Sequence, residues 1–294
     1  MIANHRVVLT IPAGRRRYLD VLIPQILREE GWDELQVWVN TADADDLAHL
    51  NGLPRLDPRI RLIPLPDGIA PRGPWTIHHF FTNCIANDTV YIRLDDDICY
   101  IEPQTIAKLA RFRIANPEAF LIFPVIVNNA IISHIWQALG VITVNGYIGA
   151  NCMDAIGWEN AQFAENMHRM FLDVLRGNQL SRLKFPNRPI AMSRMSINCI
   201  SWLGAEFAKF EGRLGSNNEE EWLSVTRPTQ LGGYNLIYGD AVVSHFAFYP
   251  QRSHMDATDL LERYRAITAG SNECPRPGQN LQDSNVVVNF DLPW

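Results

Sequence analysis

The chain of 294 residues has no paired cysteine motif, no basic stripe and no long apolar run. Its five cysteines (Cys84, Cys99, Cys152, Cys199 and Cys274) are odd in number and widely spaced. That pattern indicates neither a zinc knuckle nor a disulfide framework, and a reducing, cytoplasmic setting is the simplest expectation. Lysine and arginine total 26 against 32 acidic residues, for a net charge of −6. A general nucleic-acid binder needs a basic face for the phosphate backbone, so no nucleic-acid partner is expected. No apolar stretch approaches the ~20 residues of a membrane span. Met1-Ile2-Ala3-Asn4-His5-Arg6 runs straight into a strand-like segment without a signal core. What is present is an ordinary globular composition, 47% hydrophobic and 20% charged, enough for a sizeable core.

The opening reads as a strand–helix–strand unit. Arg6-Val7-Val8-Leu9-Thr10-Ile11-Pro12 is nearly continuous in apolar residues, as a strand covered on both faces should be. Tyr18, Leu19, Leu22, Ile23, Ile26 and Leu27 then recur at helical spacing, and Leu35 to Val39 is the second strand. A βαβ unit implies a parallel sheet. The turn between them offers backbone N–H groups and Arg15 at a helix start. It is either a seat for a diphosphate or a solvated helix terminus. Helices are expected over 75–86, 104–115, 163–175 and 256–267, with a strand over 120–127. Asn128 and Asn129 suit either hydroxyl recognition or a turn. Val286-Val287-Val288 is a candidate edge strand.

The chain turns on Tyr91 to Pro103. An apolar run, Thr89-Val90-Tyr91-Ile92, leads into Arg93-Leu94 and then Asp95-Asp96-Asp97. Three adjacent carboxylates repel one another and resist burial. They are either a solvated acidic turn or a site for a hard divalent cation that removes the penalty. Alternation along an extended segment would aim Asp95 and Asp97 to one side and Asp96 to the other. The run Ile98-Cys99-Tyr100-Ile101 behind the triplet favours a buried, metal-holding position over a polar loop. Further on, Glu219-Glu220-Glu221 reads as a helix start, where the dipole favours acids. His245 closes a strand-like segment, a place where a histidine is structural or a ligand. Arg252 is a candidate for phosphate contact.

Leu94-Asp95-Asp96-Asp97, with Pro103 behind it, resembles the Asp-x-Asp motif of nucleotide-sugar glycosyltransferases of the GT-A fold. The order of nucleotide turn, acidic motif, acidic helix start and late histidine matches that family from the first βαβ unit through His245. The resemblance implies an α/β protein, a mixed and mostly parallel sheet flanked by helices, with an acceptor-side insertion. It implies one domain over 1–268, with a nucleotide-sugar half at 1–103 and an acceptor half at 104–268. Residues 269–294 are then an extended tail. It places Pro12, Ala13, Gly14, Arg15, Asn40, Thr41, Asp43, Arg93, Asp95, Asp96 and Arg252 at the donor. It makes Asp95, Asp97 and His245 ligands of Mn²⁺ (or Mg²⁺). Glu220, or next Glu219, becomes a general base in an inverting transfer from a nucleoside diphosphate sugar, a UDP-sugar above others, to a saccharide or other hydroxyl acceptor. The acidic pair usual at the end of the second strand is replaced by Asn40-Thr41. Two rival functions share the fold: a sugar-1-phosphate nucleotidyltransferase and a non-catalytic carbohydrate-binding protein. The first would ordinarily show paired glycines and a lysine after the first strand, and both are missing here.

Overall fold

A computed structural model describes residues 1–269 and the pair Asn289–Phe290. The expected opening is present as β1 (Arg6–Ala13), α1 (Arg16–Arg28) and β2 (Glu34–Val39). Every β1 residue after Arg6 is buried, which accounts for its unbroken apolar character. Next come α2 (Ala44–Gly52), β3 (Ile60–Ile63), β4 (Thr89–Leu94), β5 (Ile98–Ile101), α3 (Thr105–Ala115), β6 (Ile122–Val127) and α4 (Ala130–Ala138). The second half holds β7 (Thr143–Val144), α5 (Ala161–Arg176), β8 (Arg188–Ile190), β9 (Cys199–Leu203), α6 (Gly204–Ala208) and α7 (Glu219–Glu221). It closes with α8 (Arg227–Gln230), β10 (Asn235–His245), α9 (Arg252–Met255) and α10 (Leu260–Thr268). Asn289–Phe290 pairs in parallel with β7. Apart from Ala269 and that pair the tail lies outside the described residues, and so does Val286-Val287-Val288.

Among the described residues the main sheet runs β3-β2-β1-β4-β9-β6-β10-β5, with β8 also on β10. β1 to β4 pair in parallel, as do β6 and β10, whereas β9, β5 and β8 run antiparallel to their neighbours. The sheet is therefore mixed, with helices packed against it and one contiguous apolar core. β4 and β5 are adjacent in sequence but three strands lie between them in the sheet. The chain from Leu94 to Ile98 spans at most about 14 Å. Four inter-strand steps in a flat sheet would need about 19 Å. The sheet must bend to bring its β5 edge back to the end of β4. A register break in β10 between Tyr238 and Val242 supplies such a bend, as bulges do.

Two expected helices take another form. Residues 75–86 fold as 3₁₀ turns at Gly73–Trp75 and Ile77–Asn83. The run His78-His79-Phe80-Phe81-Thr82 has weak helix propensity. Adjacent Phe80 and Phe81 both pack on Trp38, with ring centroids 5.1 and 5.3 Å away, so core packing decides the local shape. The helix expected over 256–267 begins only at Leu260, as α10, and the separate short helix α9 ends just before the expected span, at Met255. No described helix is long and apolar enough to cross a membrane.

Candidate active site

A cavity of about 680 Å³ opens where β1, β4 and β10 end. Its lining includes Pro12, Ala13, Gly14, Arg15, Asn40, Arg93, Asp95, Asp96, Asp97, Glu219, Glu220, His245 and Arg252. Topology assembles it from distant parts of the chain. β4 delivers the acidic triplet. His245 pairs with Ile98 at the end of β10, and the next residue, Phe246, donates its N–H to the Asp97 carbonyl at 2.9 Å. That register sets the histidine beside the third carboxylate.

The triplet is a turn, not the extended segment assumed from alternation: Ile98 N–H bonds to the Asp95 carbonyl at 3.1 Å. Asp95 and Asp97 still converge. One donor atom each from Asp95, Asp97 and His245 fall within 4.8 Å of one another. Asp97 is 2% exposed, and its Oδ1, 3.4 Å from His245 Nε2, has no hydrogen-bond partner among the described residues. A buried carboxylate oxygen without a donor is costly, and a cation would remove that cost. Two carboxylates with one imidazole suit Mn²⁺ better than Mg²⁺. His245 Nδ1 lies 3.4 Å from the Asn128 carbonyl, which favours an Nε2 free to ligate. On its other oxygen Asp97 meets Arg15 at 3.0 Å and Arg252 at 3.5 Å. Burial pushes the Asp97 carboxyl up, but Arg15, His245 and Arg252 outweigh it and hold it below the usual range.

Asp96 faces the other way, and its oxygens are taken. Gly14 N–H donates to Oδ2 at 3.1 Å, and the Arg15 guanidinium grips both oxygens. Asp96 thus anchors the turn after β1, with the Arg15 charge fixed over the triplet. Burial raises its carboxyl, with Arg15 opposing. Below the turn, Tyr18 Oη and Arg17 both donate to Asp256, each at 2.6 Å, tying the start of α1 to the end of α9. Arg15 and Arg252 are therefore mounted on two segments that are pinned together.

Arg93 is 3% exposed and bridges two parts of the site, donating to Asp95 and to Glu219 at 2.8 Å each. Sequence alone made it a donor contact; both terminal nitrogens are instead engaged by carboxylates. Burial raises the Glu219 carboxyl to about 7, with Arg93 opposing. Removing one member of such a buried set strands the others. Arg93→Met is expected to lose about 3 kcal/mol of stability at neutral pH, read from urea denaturation. An unchanged midpoint would refute the bridging role. Glu220 is more open, at 24% side-chain exposure, and accepts from Arg194 Nε at 2.8 Å. Nothing in the Ser193-Arg194-Met195 stretch signalled that pairing.

Several candidates stand elsewhere. Thr41 and Asp43 do not line the cavity; Asp43 caps α2 by accepting from the N–H groups of Asp45 and Asp46. Asn40 does line it, but its amide donates to the Gly73 carbonyl at 2.9 Å and its oxygen accepts from Thr76 Oγ1 at 2.7 Å. Asn128 and Asn129 are structural. The first donates to Gln251 and the Phe246 carbonyl, and the second caps α4.

His168 supports the β10 end from behind, fully buried, with Nε2 2.9 Å from the Phe246 carbonyl and Nδ1 2.7 Å from Tyr264 Oη. A neutral ring satisfies both by donating from Nε2 and accepting at Nδ1. Burial lowers its pKa to about 3. The unfolded chain takes up this proton near pH 6.5, so the neutral ring's contribution is lost as pH falls below that value. Glu219, raised, acts with the opposite sign between its ordinary value and about 7. The two separate by comparison with His168→Asn. Wild-type stability should fall more steeply from pH 6 to pH 5, by up to about 1.4 kcal/mol per pH unit. Equal slopes in urea titrations would contradict a buried neutral imidazole.

No family model and no curated protein matches the chain. Solved structures do. A mannosyltransferase from Pyrobaculum calidifontis, in complex with GDP-Man and Mn²⁺, aligns at TM-score 0.51 and 12% identity over 94% of this chain and 68% of that one. A CMP:2-keto-3-deoxy-manno-octonic acid synthetase complexed with CTP aligns at TM-score 0.46 and 12% identity, covering 90% of this chain and 99% of that one. A 4-diphosphocytidyl-2C-methyl-D-erythritol synthase from Anaerococcus prevotii aligns at TM-score 0.32 and 12% identity over 42% of this chain. The chain spans 56% of that enzyme's length. At 12% identity the likeness to the mannosyltransferase speaks to fold alone, and the fold is GT-A-like: a mixed sheet flanked by helices.

Proposed function

We propose that the protein is a metal-dependent glycosyltransferase that moves a sugar from a nucleoside diphosphate donor to an acceptor hydroxyl. The Asp95–Asp97–His245 cluster, with its unpartnered buried oxygen, carries this reading. Residues 1–103 would supply most of the donor side and 104–268 the acceptor side of one domain, with His245 and Arg252 reaching across to the diphosphate. Asp95, Asp97 and His245 would hold Mn²⁺, which supplies Lewis-acid stabilisation of a leaving diphosphate. Arg15 and Arg252, already converging on Asp97 Oδ2, are placed to donate to phosphate oxygens. Gly14 and Arg15, held by Asp96, form the turn beneath them. Glu220 faces the cavity and takes the acceptor proton. The acceptor oxygen bonds to the anomeric carbon as the anomeric C–O bond breaks, and its electron pair leaves with the diphosphate. Five carboxylates face four guanidiniums in the lining (Arg15, Arg93, Arg194 and Arg252), an arrangement that accepts a cation together with an anionic donor.

A thermal-shift panel of UDP-, GDP-, CMP- and dTDP-sugars with and without Mn²⁺, followed by donor hydrolysis, tests this. We expect Mn²⁺-dependent stabilisation by one nucleotide class and slow release of its diphosphate. Release of pyrophosphate from a nucleoside triphosphate and a sugar phosphate would instead assign nucleotidyl transfer.

A further inference from the structure

The segment 152–158 forms a wall between the two ends of the proposed chemistry. At one end Cys152 Sγ lies 3.6 Å from Glu220 Oε1, and Met153 Sδ lies 3.8 Å from Arg194 Nη1. At the other, Trp158 meets Phe248 at 6.3 Å between ring centroids, and Phe248 meets His245 at 4.5 Å. The wall is fixed in place. Asp154 caps the turn Ala155–Glu159, and Gly157 sits so close to α4 that a Cβ there would come within 2.8 Å of Ala130. Met153, Trp158, Phe248 and Tyr249 all line the cavity, and Tyr249 is 83% exposed at its rim.

Polar groups stand along the same wall. The Nε of Arg194 is committed to Glu220, but among the described residues its Nη1 meets only the Met153 thioether, a weak acceptor, and its Nη2 reaches Asn218 at 3.5 Å. Arg194 thus has donors to spare on the cavity side, and Asn217 and Asn218 also line it. An alkyl chain laid here would cover those donors without satisfying them, which is unfavourable. A pyranose ring has an apolar C–H face for the aromatic rings and an equatorial rim of hydroxyls for Arg194 and the asparagines.

We infer that this wall is the acceptor subsite and that the acceptor is a pyranoside, seated on Trp158 and Tyr249 with its reacting hydroxyl at Glu220. The assignment rests on the transferase reading and gives it a substrate class. Arg194 then orients the acceptor and holds the Glu220 carboxylate toward it.

Saturation-transfer NMR on the full chain tests it without requiring turnover. The probes are methyl β-D-glucopyranoside, methyl α-D-mannopyranoside and methyl β-D-galactopyranoside, with n-octanol as the apolar control. We expect saturation of pyranoside ring C–H protons, at least a tenfold weaker Kd in Trp158→Ala and in Tyr249→Ala, and partial retention in Trp158→Phe. Trp158→Phe preserves the packing on Phe248 and guards against a folding defect. Saturation of none of the three pyranosides, saturation indifferent to every one of these substitutions, or a preference for octanol overturns the inference. Donor hydrolysis in the absence of acceptor, run in parallel, reports on the transferase reading alone. Its failure with intact pyranoside binding would remove the donor chemistry and leave the subsite standing.

Discussion

Asp97→Asn should lower Mn²⁺-dependent donor turnover about a thousandfold, equivalent to about 4 kcal/mol of lost transition-state stabilisation. The change is nearly isosteric and removes one negative charge. That charge has a double duty. Its Oδ1 faces His245 with no hydrogen-bond partner among the described residues, and its Oδ2 holds Arg15 and Arg252. An amide is a poorer ligand for a hard cation, and it presents an N–H₂ group where either an imidazole or two guanidiniums now stand. Mn²⁺ binding by EPR should weaken in step with turnover. Asp95→Asn should fall less, because Asp95 already shares its charge with Arg93 at 2.8 Å and accepts from Asn198 at 3.2 Å. Wild-type Mn²⁺ affinity and turnover in Asp97→Asn would sink the metal assignment. A thermal melt in EDTA separates loss of the ion from loss of fold.

Sequence carried this site only so far, and the reason is physical. The strand, its burial and the three carboxylates were legible because apolar runs and charge are local properties. Which carboxylates converge was also foreseen, though through the wrong geometry: the triplet is a hydrogen-bonded turn. The turn after β1 was legible as a place in the cavity but not as a contact. Arg15 and Asp96 are 81 residues apart, and Arg93 and Glu219 are 126 apart. Such pairs follow from strand order, and side-chain period says which face a residue takes but not which strand it will meet. The return of β5 to the far edge of the sheet is of that kind, and His245 reaches Asp97 only because of it. Asn128, Asn129 and Asp43 show the converse. Their side chains suit ligand recognition and capping equally; local backbone N–H groups engaged Asn129 and Asp43, and the distant Phe246 carbonyl and Gln251 engaged Asn128.

Glu220→Gln should leave donor and Mn²⁺ binding intact and reduce transfer by about a thousandfold, within the range general-base catalysis supplies. Two adjacent glutamates compete for this role, and they differ in access and in basicity. Glu219 has a carboxyl raised to about 7, a suitable value for a base at neutral pH. Yet it is 6% exposed, one oxygen is bound to Arg93, and the other is buried with no partner among the described residues. Its burial and its bond to Arg93 leave it less accessible to an acceptor hydroxyl than Glu220, whose side chain is 24% exposed. Glu220 is open to the cavity and borders the wall that carries Met153. Access decides, since a base must lie within hydrogen-bond reach of the proton it takes. Glu219→Gln should therefore act through Arg93: transfer declines only modestly, and the urea midpoint shifts. A pH–rate profile checks the assignment independently. A base must be deprotonated to work, so a limb rising through about pH 7 would point to Glu219. If Glu219→Gln abolishes that limb while Glu220→Gln retains it along with transfer, the base is Glu219. The Glu220 carboxylate would then serve only to hold Arg194.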